Sequence, residues 1–244
     1  FVIYLASWIS SLKTDIRSLK SGLLPFLVIL GVVAFLLLKQ PDTGTFMIFF
    51  FTALAMFVVG GGRWTHFTAL GALSVVGIGI LAFMKPYVLS RLMTFFDPTS
   101  DPTGASYQVR QALIAIGSGQ MFGRGFGQSI QKFSFLPEPT TDSIFAVAAE
   151  EFGFVGSSVI VILFLLFGLR GFRIASKAPD SFGRLLAIGF TTLIVSQSFV
   201  NIAAMLGIIP LTGVPLLFIS HGGTAFAVAM AEVGVILAVS KGRG

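Results

Sequence analysis

Apolar residues fill this chain in long, uninterrupted stretches that short polar segments separate. A transmembrane helix needs about 20 consecutive, predominantly apolar residues. Stretches of this kind lie at 21–38, 43–61, 66–84, 143–169, 185–208 and 215–240, and residues 1–10 have the composition of a helix end. The pattern predicts an all-α, polytopic membrane helix bundle with about six complete spans and one partial span.

The composition supports a membrane domain. The chain is 55% hydrophobic and 11% charged, whereas a soluble domain carries about a quarter charged residues. It contains no cysteine, which excludes disulfides and thiolate metal sites, and its two histidines lack metal-ligand spacing. We predict that residues 1–244 form one membrane domain. Because residues 1–9 are already apolar and no basic segment precedes them, we expect this domain to be the C-terminal part of a larger protein.

Basic residues sort the polar segments into two sets when alternate segments are placed on the same side of the membrane. Cytoplasmic loops carry an excess of Lys and Arg, and one set holds most of these residues. They are Lys13, Arg17, Lys20, Arg63, Arg170, Arg173, Lys177, Arg184, Lys241 and Arg243. The opposite short segments hold Lys39 and no basic residue between 209 and 215. The long segment 85–141 is therefore predicted to be an extracytoplasmic loop, and the net charge of +6 does not indicate nucleic-acid binding.

The 85–141 loop is too polar to span, yet its aliphatic and aromatic content argues against disorder. Residues 107–116 have an apolar and a polar face, which predicts an interfacial or re-entrant helix. Residues 117–127 are rich in glycine and include Arg124. This stretch suits a flexible connection, or a set of backbone amides that bind a lipid-linked diphosphate. The sequence leaves both interpretations open.

Asp142 stands at the start of the fourth apolar stretch. A carboxylate at a membrane boundary is costly to desolvate, which favours a function. Aspartate is also a preferred helix N-cap, so a structural role is the alternative. Glu150 and Glu151 follow on the same predicted helix but point away from Asp142. We expect these two, like Glu232 in the last stretch, to fix helix packing through ion pairs or hydrogen bonds.

Ordered motifs along the whole chain resemble one family. They are Gln40–Gly44, Phe96–Pro98, Asp101–Pro102, Tyr107–Gln108, Gln111–Ala112, Ala115–Gly119, Gly123–Gly125, Phe135–Glu138, Thr141–Asp142, Ile144–Ala146, Glu150–Gly153, Asn201–Ile202, Pro210–Pro215 and Phe218–Gly223. With these motifs at the right separations, the chain resembles the SEDS proteins (shape, elongation, division and sporulation) of the FtsW/RodA/SpoVE type. The segment Ser129–Lys132 favours the division-type branch.

The resemblance implies a peptidoglycan glycosyltransferase, which polymerises lipid II at the outer face of the bacterial cytoplasmic membrane, at the division septum. The Thr-Asp motif assigns the catalytic general base to Asp142. The residues expected to contact substrate are Asp42, Arg91, Gln111, Arg124, Lys132, Glu138 and Ser220. Among them, Arg91, Arg124 and Lys132 supply positive charge for the leaving diphosphate.

The implied partners are lipid II, a class B penicillin-binding protein with transpeptidase activity, other divisome proteins and the membrane, and no nucleic acid. No cofactor is certain, and a divalent cation, Mg²⁺ or Mn²⁺, is left open. The alternative from another functional class is a lipid II flippase without chemistry, which would use Glu150, Glu151 and Glu232. A scaffold that recruits the transpeptidase is a third hypothesis, compatible with the enzyme.

Three positions depart from the family pattern. Thr140 stands where the family usually has His, Ser143 where it has Phe, and His221 where it has Tyr. The aspartate itself is kept, so the expected chemistry is unchanged. The departures bear on the details of substrate contact.

Overall fold

The computed structural model describes residues 1–12, 15–63, 65–72, 77, 79, 86–96 and 104–242, and within them the protein is helical without strands. The α-helices are α1 (Val2–Leu12), α2 (Leu24–Lys39), α3 (Thr43–Val59), α4 (Pro86–Phe96), α5 (Ala105–Ser118), α6 (Gln131–Ser134), α7 (Ile144–Ser176), α8 (Ser181–Met205) and α9 (Gly223–Ser240). A 3₁₀ turn (Asp15–Arg17) and a π-helical turn (Leu19–Leu23) precede α2. Residues 65–72 are also helical.

Four described segments are long and apolar enough to cross a membrane, namely Leu19–Lys39, α7, α8 and α9. Helix α3 is apolar but shorter, with 17 residues. The predicted span 66–84 starts within a helix, and most of its remainder lies outside the described residues, as do the turns at Asp97–Pro98 and Asp101–Pro102. The prediction of an all-α, multi-pass membrane protein is confirmed.

The predicted boundary of the last span is wrong. We expected it to begin at residue 215, but α9 begins at Gly223, and residues 206–222 are not helical. Pro210 and Pro215 cannot donate to a helical ladder. Gly207, just after the end of α8, and Gly213 have left-handed φ values of 67° and 70°, which a regular helix does not contain. Four apolar residues of this segment are buried within the protein although it is not helical, namely Leu211, Val214, Leu216 and Leu217.

The chain packs into two compact units. Unit 1 comprises Phe1–Gly77, Leu166–Ser196 and Ala227–Gly244, and unit 2 comprises Ile78–Leu165 and Gln197–Phe226. In unit 1, α1, α3 and the first part of α8 pack closely, because Gly189 has no side chain to separate it from Val2 and Met56. The rings of Phe26 and Phe57 add an aromatic contact at 4.6 Å.

Unit 2 holds the predicted catalytic residue. Its core joins α5, the start of α7, the end of α8 and the segment after α8, through buried residues that include Ala112, Phe145, Ile202 and Leu216. The helix predicted within 107–116 is confirmed by α5, whose buried face carries small residues such as Ala112 and Ala115. This small face lets α5 lie close to the residues that lead into α7.

Candidate active site

A cavity of about 230 Å³ in unit 2 contains the predicted general base. Its lining residues are Arg91, Gln108, Asp142, Asn201, Ala204, Met205, Leu211, Thr212, Gly213 and Val214. They come from α4, α5, the turn before α7, the end of α8 and the segment that follows α8. The cavity therefore collects one carboxylate, one guanidinium and two amide side chains from distant parts of the chain.

A tight turn places Asp142 just outside α7. Glu138 adopts a left-handed φ of +47°, and its backbone carbonyl accepts bonds from the amides of Thr141 (3.3 Å) and Ser143 (3.1 Å). Ser143 directly precedes the first residue of α7. Asp142 consequently lies outside the helix, with its side chain in the cavity.

Three consecutive carbonyls of this turn are held by the C-terminal part of unit 2. The backbone amide of His221 donates to the carbonyl of Thr140 over 2.8 Å. The hydroxyl of Ser220 donates to the carbonyl of Thr141 over 2.6 Å. The side-chain amide of Asn201 donates to the carbonyl of Asp142 over 2.7 Å. The backbone on which the carboxylate is mounted is thereby fixed.

Side-chain donors also hold the segment that forms the opposite wall of the cavity. The Nη1 atom of Arg91 donates to the carbonyl of Leu211 (2.9 Å) and, more weakly, to that of Thr212 (3.3 Å). Asn201 donates to the carbonyl of Val214 over 2.8 Å. Side chains thus satisfy these carbonyls of the non-helical segment, as a buried backbone requires.

The environment of Asp142 raises the pKa of its carboxyl above the usual value. Desolvation by partial burial raises the pKa of this carboxyl, and the negative charge of Glu138 raises it further. The positive charge of Arg91 opposes both effects and lowers the pKa. A half-buried carboxyl with a raised pKa has the properties expected of a general base.

The structure brings two of the predicted site residues, Arg91 and Asp142, to the same cavity. Glu138 is exposed and accepts a bond from the Thr141 hydroxyl over 2.8 Å. Ser220 uses its hydroxyl hydrogen on the carbonyl of Thr141 and accepts a bond from the Leu216 amide, so it supports the turn. Their predicted substrate contacts stay predictions.

The remaining predicted residues lie elsewhere. Gln111 is half-buried on α5. Asp42 belongs to unit 1, where its carboxylate caps α3 by accepting a bond from the Thr45 amide over 2.9 Å. Arg124 pairs with Glu150 at 3.4 Å, and Lys132 pairs with Glu151 at 2.6 Å. The prediction that Glu150 and Glu151 form ion pairs is confirmed.

Sequence reasoning did not assign Gln108 and Asn201 to the cavity. Gln108 donates to the hydroxyl of Ser143 over 3.1 Å, and that hydroxyl donates to the carbonyl of Pro137 over 2.8 Å. Ser143 is one of the three departures from the family pattern. Its side chain is fully buried, and its hydroxyl joins α5 to the turn that carries Asp142. The signal for Asn201 was an amide side chain, one of two with Gln197 in the apolar stretch 185–208, since such a group needs partners when buried.

No group of three or more His, Cys, Asp or Glu side chains is placed to hold a metal ion in the part of the chain that the structure describes. The cavity itself offers one carboxylate, Asp142, with Arg91 beside it. Mg²⁺ is commonly bound by one or two carboxylates together with substrate phosphates, so the divalent cation that the sequence left open stays a prediction.

Comparison with known proteins gives a family match over nearly the whole chain. The family model for FtsW, RodA and SpoVE, described as cell cycle proteins, matches residues 1–243. Stage V sporulation protein E of Bacillus subtilis (strain 168) is 40% identical over 240 residues, which cover 98% of this chain and 66% of that protein. The probable peptidoglycan glycosyltransferase FtsW of Geobacter sp. (strain M18) is 38% identical over 239 residues, which cover 98% and 65%.

Two solved structures share the fold. A chain from a peptidoglycan synthase complex that coordinates polymerization and crosslinking has a TM-score of 0.79 and 30% identity, over 99% of this chain and 67% of that one. A mutant of the rod shape determining protein RodA from Thermus thermophilus has a TM-score of 0.60 and 26% identity, over 98% and 64%. The chain spans about two thirds of the length of the curated relatives it matches.

Proposed function

The chain belongs to the FtsW/RodA/SpoVE family, and we propose that the protein is a peptidoglycan glycosyltransferase that polymerises lipid II at the outer face of the cytoplasmic membrane. Relatives named probable peptidoglycan glycosyltransferase FtsW support this proposal. The observation that carries it is the shared cavity of Asp142 and Arg91. One residue accepts a proton, and the other neutralises negative charge.

In the proposed reaction, the 4-hydroxyl of one sugar attacks the anomeric carbon of a sugar linked to a lipid diphosphate. A new glycosidic carbon–oxygen bond forms, and the bond to the diphosphate oxygen breaks and leaves its electron pair on that oxygen. A hydroxyl is a poor nucleophile at neutral pH, so a base must take its proton as attack proceeds. Asp142 takes this proton.

The leaving diphosphate gathers negative charge that a fixed cation stabilises. Arg91 is suited to this role because its bonds to Leu211 and Thr212 hold the guanidinium at the cavity wall. The expected contributions of Arg124 and Lys132 stay predictions. In the structure, Glu150 and Glu151 already compensate these two charges.

We place the protein in a multi-pass arrangement in the cytoplasmic membrane, with a role at the division septum. The proposed partner is a class B penicillin-binding protein that crosslinks the new strands, together with other divisome proteins. The support is that one structural relative comes from a complex that coordinates polymerization and crosslinking. Because an elongation protein, RodA, is also among the relatives, the division role rests on the FtsW-named relatives.

A flippase without chemistry remains the alternative in the other functional class. The sequence suggested it because Glu150 and Glu151 belong to a predicted span, where unpaired carboxylates would suit a polar path for lipid II through the bilayer. Both side chains instead bind groups of the 117–132 segment, including Lys132. Glu232, the third carboxylate that this alternative uses, is buried in α9 and forms no ion pair or hydrogen bond with the described residues. Its expected role in helix packing through such bonds therefore has no support in the described residues, and transport stays the alternative.

The decisive experiment is lipid II polymerisation by the purified full-length protein in detergent and in liposomes, with and without its transpeptidase. Glycan strands from the wild type and none from Asp142→Asn would support the proposal. Movement of lipid II across liposome membranes without any polymer, in both proteins, would establish the flippase instead.

A further inference from the structure

Helix α7 is interrupted at Gly153, where the backbone leaves helical geometry at φ 67° and ψ −165°. An interruption leaves helical amides and carbonyls without their usual partners, which is costly inside a bilayer. Here, four bonds with segment 119–125 restore these partners. Two loop amides donate to helix carbonyls, Arg124 to Glu150 and Gly125 to Glu151, each over 3.0 Å. Two helix amides donate to loop carbonyls, Phe154 to Gln120 over 2.8 Å and Val155 to Met121 over 3.1 Å.

Glycine makes this backbone approach possible. A Cβ atom on Gly123 would collide with the carbonyl of Glu151, and one on Gly153 would collide with the amide of Gly123. Both glycines also have left-handed φ values, of 79° and 67°. The glycine-rich run is therefore neither a flexible connection nor a cradle for diphosphate at these amides, because the amides of Arg124 and Gly125 are already bonded to α7.

Side chains lock the next part of the loop to the same part of α7. The carboxylate of Glu150 accepts bonds from the Ser129 hydroxyl (2.6 Å) and from the amides of Ile130 (3.2 Å) and Gln131 (3.3 Å). Glu151 pairs with Lys132. The loop at 119–132 is thus held at the level of residues 150–155, and the position of α7 in the membrane sets its depth.

The charge pattern of α7 determines that depth. Arg170 and Arg173 mark one edge of the membrane-spanning part. Residues 154–169 span roughly 24 Å at 1.5 Å per residue, and the hydrocarbon core is about 30 Å thick. The break at Gly153 consequently lies at or just inside the opposite edge of the core, and so does the loop bonded to it.

At this depth the loop presents large apolar side chains outward. Phe122 and Phe126 are each 82% exposed and Phe133 is 75% exposed. Met121 and Ile130 are also exposed. The ring of Phe126 contacts the ring of Phe152 on α7 at 5.9 Å, so the loop surface continues the apolar surface of the spanning helix. That helix surface includes Phe154, Val155, Val159, Ile162, Leu163 and Leu166.

We propose that residues 121–133 form a membrane anchor, in which Phe122, Phe126 and Phe133 insert into the bilayer interface on the side opposite Arg170 and Arg173. The occupant of this surface is lipid, because the loop is bonded to a spanning helix at interfacial depth and is continuous with its apolar face. Aromatic side chains are enriched at this level of membrane proteins. Part of the 85–141 loop is therefore embedded in the membrane interface, not free in water.

The test is depth-dependent fluorescence quenching on the full chain in liposomes. The chain has no cysteine, so a single introduced thiol carries the only label. Labels on Phe122→Cys and Phe126→Cys report the inserted positions. Gln128→Cys, exposed on the same loop, reports loop depth with every aromatic residue intact. Val159→Cys on α7 and Lys177→Cys beyond its end serve as deep and aqueous references.

Nitroxides at the lipid headgroup and on the upper acyl carbons should cause the largest loss of fluorescence at residues 122 and 126. Nitroxides near the ends of the lipid acyl chains should cause the largest loss of fluorescence at residue 159. Residue 128 should respond to headgroup nitroxides. Strong quenching of 122 and 126 by aqueous iodide would overturn the anchor. Resistance to both lipid and aqueous quenchers would overturn it as well, because another protein surface would then cover the loop.

Discussion

The side-chain amide of Asn201 connects the turn that carries Asp142 to the opposite wall of the cavity. Its nitrogen donates to the carbonyl of Asp142 over 2.7 Å and to the carbonyl of Val214 over 2.8 Å. This network also assigns the amide orientation, because the oxygen could not face two carbonyls. Asn201 is only 1% exposed, so both bonds lie away from water.

Replacing Asn201 should therefore impair the proposed polymerisation without touching the base. Asn201→Asp keeps the size but removes both donors and should lower kcat more than it raises KM, since Asp142 loses its fixed backbone. Leaving a buried carbonyl unpaired costs about 1–3 kcal/mol, so the melting temperature in detergent should also fall. Gln197→Ala, which removes a donor to Pro215 alone, is the matched control. Equal kinetic losses in both variants would contradict the positioning role of Asn201.

Asp142→Asn should abolish glycan polymerisation while the protein stays folded in the membrane. The substitution preserves size but removes the base, and general base catalysis contributes at least ~100-fold. Polymer yield from purified protein measures the loss, and the melting temperature checks the fold. Near-wild-type polymerisation would remove Asp142 from the mechanism.

The pH profile should report the environment of Asp142. The base works only when deprotonated, so the rate should fall as pH drops through its raised pKa. Glu138 is one cause of that rise, so Glu138→Gln should lower the pKa and shift the acid limb to lower pH. Arg91 opposes the rise, so a neutral residue there should shift the limb to higher pH. Profiles of the three proteins in one buffer series provide the measurement, and identical acid limbs would show that Asp142 does not control the rate.

Removing a cation from the diphosphate site should weaken substrate use in every medium. A charge-assisted hydrogen bond is worth about 1.5–3 kcal/mol, or roughly 10- to 150-fold. We expect losses of this size for Arg91→Ala in detergent, in neutral bilayers and in anionic bilayers. The same comparison for Arg124→Ala and Lys132→Ala tests their predicted substrate contact. A defect of the latter two confined to anionic bilayers would identify contacts with lipid headgroups, worth about 1 kcal/mol each.

The turn that carries Asp142 should face the outside of the cell. Thr140 is exposed beside Asp142, and a cysteine there should react with an impermeant thiol reagent in intact spheroplasts. The motivation is the charge bias of the short loops. Lys177→Cys, on the predicted cytoplasmic side, should react only after permeabilisation. The reverse pattern would invert the topology.

The hydrophobic pattern was sufficient to predict the class of fold and the approximate spans of α2, α7 and α8. Long apolar runs have few stable solutions in a bilayer, because every backbone group must be satisfied internally. The same pattern placed the start of α9 eight residues too early, at 215 in place of 223. Apolar composition alone does not distinguish a spanning helix from a buried segment with side-chain partners.

Sequence by itself determined that this is a multi-pass helical membrane protein of the FtsW/RodA/SpoVE family and singled out Asp142. Only the tertiary structure decided which residues share the cavity with it. Arg91, Gln108 and Asn201 line the cavity of Asp142 from three different helices, and Lys132 is paired with Glu151. Such contacts depend on packing between segments far apart in the chain, which local periodicity does not encode. The role of the glycine run also depends on packing between distant segments, since Gly123 packs directly against Gly153 on α7 and neither position has room for a side chain.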